Sequence, residues 1–70
     1  MKRQRIQSSS VASVGYDLDS RTLELEYVGG DVYQYYDVPP LVHTALLATR
    51  SVGAFVNRRV KTSYRFEQIA

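Results

Sequence analysis

The sequence contains no cysteine, which excludes disulfide bonds, thiolate nucleophiles and Cys-based zinc sites. It also lacks any apolar run near the roughly 20 residues that a membrane-spanning helix needs. The basic stretch Met1–Arg5 is followed by Ile and four polar residues rather than by the apolar core of a signal peptide. We therefore expect a cytoplasmic protein with no membrane partner and no metal.

Acidic residues are missing from most of the second half of the chain. No Asp or Glu lies between Asp37 and Glu67, although the net charge of the whole chain is only +2. Five basic residues fall within that stretch: Arg50, Arg58, Arg59, Lys61 and Arg65. Because no acid is interleaved with them, the pattern predicts a basic surface near the carboxyl terminus.

The length of 70 residues allows one domain. A chain this short buries only about 60% of its unfolded surface, so its core must be thin. The hydrophobic fraction of 44% and the charged fraction of 23% are typical of a globular domain. We assign residues 1–10 to a flexible basic segment and residues 11–70 to the domain.

Alternation of side chains predicts three consecutive strands over Val11–Tyr16, Thr22–Tyr27 and Val32–Val38. In the second strand, Leu23, Leu25 and Tyr27 are predicted to point inward. Thr22, Glu24 and Glu26 are predicted to form a solvated outer face. Short turns, one of them at Gly29–Gly30, join these strands, which favours an antiparallel meander.

Two helices are predicted after the third strand, which Pro39–Pro40 must end. Leu41–Ala48 fits one short helix, with Pro40 in its first turn. Ser51 is a candidate N-cap for a second helix. Its predicted buried stripe consists of Val52, Phe55, Val56 and Val60.

The predicted fold class is α+β, a small three-stranded antiparallel meander packed against two short helices. Alternation over residues 64–69 predicts a fourth strand at the carboxyl terminus, and the pattern leaves that strand optional. With it, the order of elements is β-β-β-α-α-β.

Catalytic residues are not apparent. His43 is the only histidine, and a metal site or a catalytic triad requires several partner groups. We predict that it is a solvated surface residue. We also expect Glu24 and Glu26 to lie side by side in solvent, where nothing would separate their pKa values for acid–base work. The sequence therefore predicts a non-enzymatic protein without a cofactor.

Tyrosine is the unusual component, with 6 Tyr against 2 Phe. Tyr33 and Tyr35 share one face of the third strand, but both faces carry aromatic rings, so the pattern does not say which is buried. These rings either pack in the thin core or offer stacking platforms to single-stranded bases. The candidate nucleic-acid-binding set is Arg50, Arg58, Arg59, Lys61, Arg65, Tyr33 and Tyr35.

Four short motifs, in order, resemble the KTSC domain family from Ser9 onward. They are Val14-Gly15-Tyr16-Asp17, Tyr33-x-Tyr35-x-x-Val38-Pro39, Ser51-x-Gly53-x-Phe55-x-Asn57 and Lys61-Thr62-Ser63-Tyr64. The family is named for a Lys-Thr-Ser-Cys motif, and Tyr64 stands where the Cys would be, which excludes a thiol role there. The resemblance implies a small stand-alone bacterial or phage protein and carries over no catalytic residue, and a related domain is attached to lysyl-tRNA synthetases.

Two functions from different classes follow from these observations. The first is a module that binds RNA or another single-stranded nucleic acid through the basic carboxyl-terminal surface. The second is a protein–protein interaction module or accessory subunit, whose sheet edge or tyrosine-rich patch meets a protein partner or a second copy of the chain.

Overall fold

A computed structural model describes residues 1–70, and its main element is a β-sheet. Five antiparallel strands lie side by side in sequence order: β1 Gln4–Arg5, β2 Val11–Asp17, β3 Thr22–Tyr27, β4 Val32–Tyr35 and β5 Phe66–Gln68. The α+β class and the meander are confirmed. The predicted number of three or four strands is wrong, because residues 4–5 of the assigned lead-in pair with β2.

The register of β2 differs from the simple alternation seen in the sequence. A bulge between Val11 and Ser13 places Val11 opposite Tyr27 and leaves Ala12 as the extra residue. Val11 is fully buried, whereas Ala12 is only partly buried. The bulge therefore adds a β-branched side chain to the core at the start of the strand.

Positive φ angles set the ends of the third predicted strand. Gly29 and Gly30 have φ values of 108° and 106° in the turn before β4, a region that glycine enters without penalty. Asp37 has a φ of 56°, which Asp tolerates better than most residues. This left-handed residue turns the chain toward Pro39, so β4 ends before the Val38 that the sequence predicted.

Two helices cover one face of the sheet: α1 Pro40–Ala48 and α2 Val52–Phe55, with a π-helical segment at Val56–Val60. The Ser51 cap is confirmed, since its Oγ accepts a hydrogen bond from the amide of Ala54 at 3.4 Å. At the end of the π-helical segment, the amide of Lys61 donates a hydrogen bond of 2.9 Å to the carbonyl of Val56, five residues earlier. None of the helices has the length and apolar character to cross a membrane.

The core lies between these helices and the sheet. Its buried cluster comprises Val11, Val14, Leu23, Leu25, Tyr35, Val38, Leu46, Val52, Val56 and Val60. Tyr33 pairs with Leu25, and Tyr35 pairs with Leu23, so both tyrosines lie on the helix side of the sheet. Tyr35 is only 2% exposed, whereas Tyr33 is partly exposed.

The opposite face of the sheet is polar but not fully solvated. Glu24 is 5% exposed, because the amino-terminal segment covers it. Its carboxylate forms an ion pair with the guanidinium of Arg3 and accepts a hydrogen bond from Nε2 of Gln34 at 2.8 Å. The prediction that Glu24 is solvated is therefore wrong, and a buried network replaces the expected wet face.

Gly15 lets the amino-terminal segment approach the sheet. A side-chain Cβ at this position would lie 2.9 Å from the backbone oxygen of Lys2 and 3.1 Å from Cγ of Arg3. The first of these contacts involves backbone, which cannot move aside as a flexible side chain does. The bare Cα of Gly15 is therefore needed where Arg3 reaches Glu24.

Candidate functional site

An open cavity of about 480 Å³ lies on the helix side of the sheet, and we call it the aromatic cavity. Its lining consists of Tyr27, Asp31, Tyr33, Tyr35, Lys61 and Phe66. The strand register brings the rings together, since Tyr35 pairs with Phe66 across β4 and β5. Residues on one face of adjacent antiparallel strands have Cβ atoms within about 5 Å, so their rings form one continuous surface.

The four rings contact one another in sequence around the cavity. The rings of Tyr27 and Tyr33 meet edge to face, with centroids 5.5 Å apart. Those of Tyr33 and Tyr35 are nearly parallel, with centroids 6.3 Å apart and an interplanar angle of 21°. Phe66 lies 5.8 Å from Tyr33 and 5.7 Å from Tyr35. These separations are those of interacting aromatic pairs.

Two hydroxyl groups bond each other within the aromatic cavity. The hydroxyl oxygens of Tyr27 and Tyr35 are 2.6 Å apart. Burial, together with this hydrogen bond, raises the pKa of Tyr27 far above its ordinary value. Burial also raises the pKa of Tyr35. Both groups therefore stay protonated at neutral pH, where they act as hydrogen-bonding groups and not as bases.

Lys61 brings a positive charge to the cavity. Its Nζ lies 5.3 Å from the centroid of the Tyr27 ring, within the range of a cation–π interaction. The molecule contains two ion pairs, Arg3–Glu24 and Arg65–Asp37. The ammonium of Lys61 is therefore free of any carboxylate, including that of Asp31 in the same cavity.

Three of the predicted arginines gather where α1 meets α2, and we call them the arginine group: Arg50, Arg58 and Arg59. All three are exposed, and none forms an ion pair. Arg58 and Arg59 line one shallow hollow and Arg50 lines another, and the two hollows share Ser51. Arg59 lies 5.8 Å from the Phe55 ring, which supports its guanidinium at the surface.

Arg65 is separated from the other predicted site residues. Its guanidinium pairs with the carboxylate of Asp37 at 3.4 Å and lies 5.7 Å from the ring of Tyr36. Tyr36 donates a hydrogen bond to Glu67, whose partner in the sheet is Gln34 on the polar face. Arg65 is thus partly neutralised and faces away from the aromatic cavity.

The structure therefore divides the predicted set into three parts. Tyr33, Tyr35 and Lys61 line the aromatic cavity, the arginine group lies beside α2, and Arg65 stands apart. Sequence reasoning missed Tyr27, Asp31 and Phe66 as cavity residues. Alternation did place Tyr27 on the inner face with Leu25, but only the register shows that its ring meets Tyr33.

His43 lies against a ring rather than in open solvent. Its imidazole stacks on Tyr16 with centroids 4.8 Å apart and an interplanar angle of 12°. Burial lowers the pKa of His43, and the residue is half-buried, so it is less solvated than the sequence predicts. No group of three or more His, Asp or Glu side chains is placed to hold a metal ion.

The stacked histidine predicts a pH-dependent stability. Because its pKa is lower in the folded chain than the ordinary 6.5, the unfolded chain takes up the proton first as the pH falls. The free energy of unfolding should therefore decrease from pH 7.5 to pH 5.5. In a His43→Gln variant this slope should flatten in urea unfolding over the same range. An unchanged slope would assign the pH dependence to other groups.

Together, the sheet, the helix pair and the cavity define a small α+β domain with a ring-lined recess beside a group of arginines. The sequence pattern of the KTSC domain family matches residues 7–64. The chain belongs to the KTSC domain family, as the resemblance of its motifs indicated.

Similar proteins of comparable length occur in several bacteria. A protein of Tsukamurella paurometabola is 45% identical over 62 residues, which cover 89% of this chain and 92% of that protein. An uncharacterized protein of Stutzerimonas stutzeri is 44% identical, over 99% of both chains. The crystal structure of a KTSC domain protein from Yersinia pestis superposes with a TM-score of 0.93 at 34% identity, over 99% of this chain and 97% of that one.

A longer protein also contains a similar region. A lysine–tRNA ligase of Nostoc punctiforme is 33% identical over 64 residues. The match covers 91% of this chain but 11% of the ligase. The chain thus resembles one small part of that protein.

Proposed function

We propose that this protein is a non-enzymatic module that binds single-stranded nucleic acid, with RNA as its natural ligand. The observation that carries the proposal is the position of Lys61. Its unpaired ammonium lies over the Tyr27 ring of the aromatic cavity. It also follows Arg58 and Arg59 within one helical turn. A cationic group therefore lies at a surface formed by aromatic rings.

This arrangement suits a flexible polyanion with exposed bases. Lys and Arg side chains bind phosphates and release counterions, whatever the sequence of the strand. Aromatic side chains accept single-stranded bases because every base has a π-face. The arginine group and Lys61 supply four charges that no carboxylate of the chain neutralises. Duplex DNA, whose bases are stacked inside, would leave the rings unused.

Similarity to the lysine–tRNA ligases supports RNA as the ligand. By its name, the relative in Nostoc punctiforme acts on a tRNA, and the shared region spans 91% of this chain. A module that contacts RNA within such a protein would keep the same task when it stands alone. This function belongs in the cytoplasm, which suits a chain without cysteine.

Side-chain chemistry favours binding over catalysis. The hydroxyls of Tyr27 and Tyr35 are held protonated, so neither serves as a base. His43 stacks on Tyr16, whose hydroxyl donates to the carbonyl of Val38 at 2.5 Å. Covalent catalysis requires a nucleophile that a neighbouring base activates. Neither of these contacts provides such a pair.

The proposal is tested by the salt dependence of binding to a fluorescent single-stranded RNA of twelve nucleotides. For single strands, the logarithm of the binding constant falls with slope about −0.7 per phosphate neutralised. In a double variant, Arg58→Ala with Arg59→Ala, the slope should become shallower by about 0.7 for each arginine lost. Fluorescence anisotropy between 25 and 300 mM salt would measure both slopes.

Arg21→Gly provides a control with a change of one positive charge. Arg21 precedes β3 and Tyr27 ends it, so the two lie about 20 Å apart at 3.3 Å per residue. Its φ of 54° suits glycine. This variant should retain the affinity within about twofold. Absence of binding at low salt, or equal effects of the two changes, would contradict the proposal.

Protein association is a second candidate, favoured by the open edge of β5. Phe66 and Ile69 are 52% and 49% exposed there. An unpaired strand edge with apolar side chains can accept another strand. Sedimentation velocity over a hundredfold range of concentration would show self-association as a rising sedimentation coefficient. A constant value would exclude a second copy of the chain as the partner.

A further inference from the structure

We propose that the aromatic cavity holds one unstacked nucleobase of the bound strand while Lys61 holds an adjacent phosphate. This inference rests on the proposed function and adds the part of the ligand that each group recognises. The cavity volume of about 480 Å³ lies within the range of about 300–1,000 Å³ for small-ligand sites. The base is therefore received in a recess and not on a flat sheet.

Ring spacing decides how the base is held. Inserting a base between two rings requires two stacking separations of about 3.4 Å each. The centroids of Tyr33 and Tyr35 are 6.3 Å apart, which is too close for a base between them. The base therefore stacks on one face of a single ring that lines the recess. Phe66 is 52% exposed and contacts both tyrosines, so it offers the open platform.

The charges in the cavity orient the strand. Asp31 and Lys61 both line the recess, and their side chains form no ion pair. A phosphate is attracted by Lys61 and repelled by Asp31. The base edge therefore faces Asp31, which only accepts hydrogen bonds and favours amino donors, such as N4 of cytosine. Uracil offers only its ring N3–H as a donor, between two carbonyl oxygens that a carboxylate repels, so it should bind less well than cytosine.

A cationic ligand is the main competing occupant, since rings beside a carboxylate also bind ammonium groups. In this cavity, however, the ammonium of Lys61 already lies over the Tyr27 ring. A second cation would be repelled at short range by Lys61. The charge balance thus favours an anionic strand that contributes a neutral base.

A strand with a single base separates stacking from phosphate binding. The probe is a nine-residue abasic phosphodiester strand, compared with the same strand carrying one central 2-aminopurine. Both have the same backbone charge. Stacking of one base should increase the affinity about 5- to 100-fold and quench the 2-aminopurine fluorescence. Central cytosine should bind more tightly than central uracil by about threefold or more.

Variants of the cavity test which ring supplies the platform. Phe66→Leu keeps the apolar volume but removes the ring, so the advantage of the one-base strand should fall to within about twofold. Leu41→Ala, at a side chain 77% exposed on α1 and outside the aromatic cavity, is the control and should retain the advantage. Circular dichroism would confirm that each variant folds.

The outcomes separate this inference from the proposed function. Equal, salt-dependent affinity for the abasic and one-base strands would overturn the inference and leave nucleic-acid binding intact. If neither of the two strands nor the twelve-nucleotide RNA binds, both the inference and the proposed function are overturned. Tetramethylammonium tests the competing occupant, and its binding in the cavity would appear as NMR shifts of Tyr33 and Phe66. If it binds there and the central base does not change the affinity of the strand, the cavity is a cation site and the inference is overturned.

Discussion

Replacing Leu46 with alanine is expected to lower the free energy of unfolding by about 2–5 kcal/mol. Leu46 is the buried residue of α1, and its side chain is fully enclosed. The loss combines the transfer of apolar surface to water with the cavity left behind. At about 0.05–0.15 kcal/mol per residue, a 70-residue chain has roughly 4–10 kcal/mol in total. The change would therefore remove a large part of its stability.

Leu47→Ala is the matched control, because it makes the same chemical change at the next position of the same helix. The side chain of Leu47 is 41% exposed, so its loss should cost less than about 1 kcal/mol. Urea unfolding followed by circular dichroism would compare the two variants. Equal losses would show that α1 is not anchored through Leu46.

Arg3→Met is expected to destabilise the folded chain by about 1–3 kcal/mol at pH 7. The change removes the cation paired with the buried carboxylate of Glu24. It also removes the hydrogen bond from Nε of Arg3 to Oγ of Ser13, at 3.0 Å. Methionine keeps the unbranched apolar stem that packs beside Gly15. The loss of stability therefore measures the missing charge and hydrogen bonds.

Arg5→Met is the control for this change, since Arg5 is exposed in β1 and forms no ion pair. It should alter the free energy of unfolding by less than about 0.5 kcal/mol. Thermal unfolding of both variants at pH 7 would make the comparison. A loss shared equally by both would indicate that general charge, not the pair with Glu24, stabilises the amino-terminal segment.

The same pair predicts how the protein responds to acid. Burial alone would raise the pKa of Glu24, but the hydrogen bonds from Gln34 and Arg3 and the charge of Arg3 outweigh it and lower the pKa. The resulting stability is present above the unfolded pKa of about 4.5 and is lost as the pH falls through the folded value. In Arg3→Met, the loss should begin at a higher pH. Parallel urea midpoints between pH 7 and pH 3 would contradict this account.

Elements with local signals were predicted well from the sequence. The alternation of Thr22–Tyr27 and the proline at the start of α1 each depend on a few neighbouring residues, and both match the structure. Strand β1 was missed, because Gln4–Arg5 is too short to alternate. Its position depends on Gly15 and Glu24, which are distant in the sequence. The spacing of Val56 and Val60 fits an α-helix as well as the π-helical segment.

The candidate site was predicted only in part, for a related reason. A lack of interleaved acids identified Arg58, Arg59 and Lys61 as unneutralised, and none of them forms an ion pair in the structure. Alternation could not say which face Tyr33 occupies. That choice depends on its pairing with Leu25, because register across strands, not sequence within one, sets which rings meet.

From the long connection between β4 and β5 we expect the aromatic cavity to be completed late in folding. Strands β1 to β4 are joined by short turns, whereas residues 36–65 separate β4 from β5. Closing a longer loop costs more conformational entropy. Tyr27 and Tyr33 therefore meet in an early hairpin, while Phe66 completes the recess only when the chain end docks. A base bound there would contact both the carboxyl-terminal strand and that hairpin. Binding would therefore stabilise the folded state in which β5 is docked.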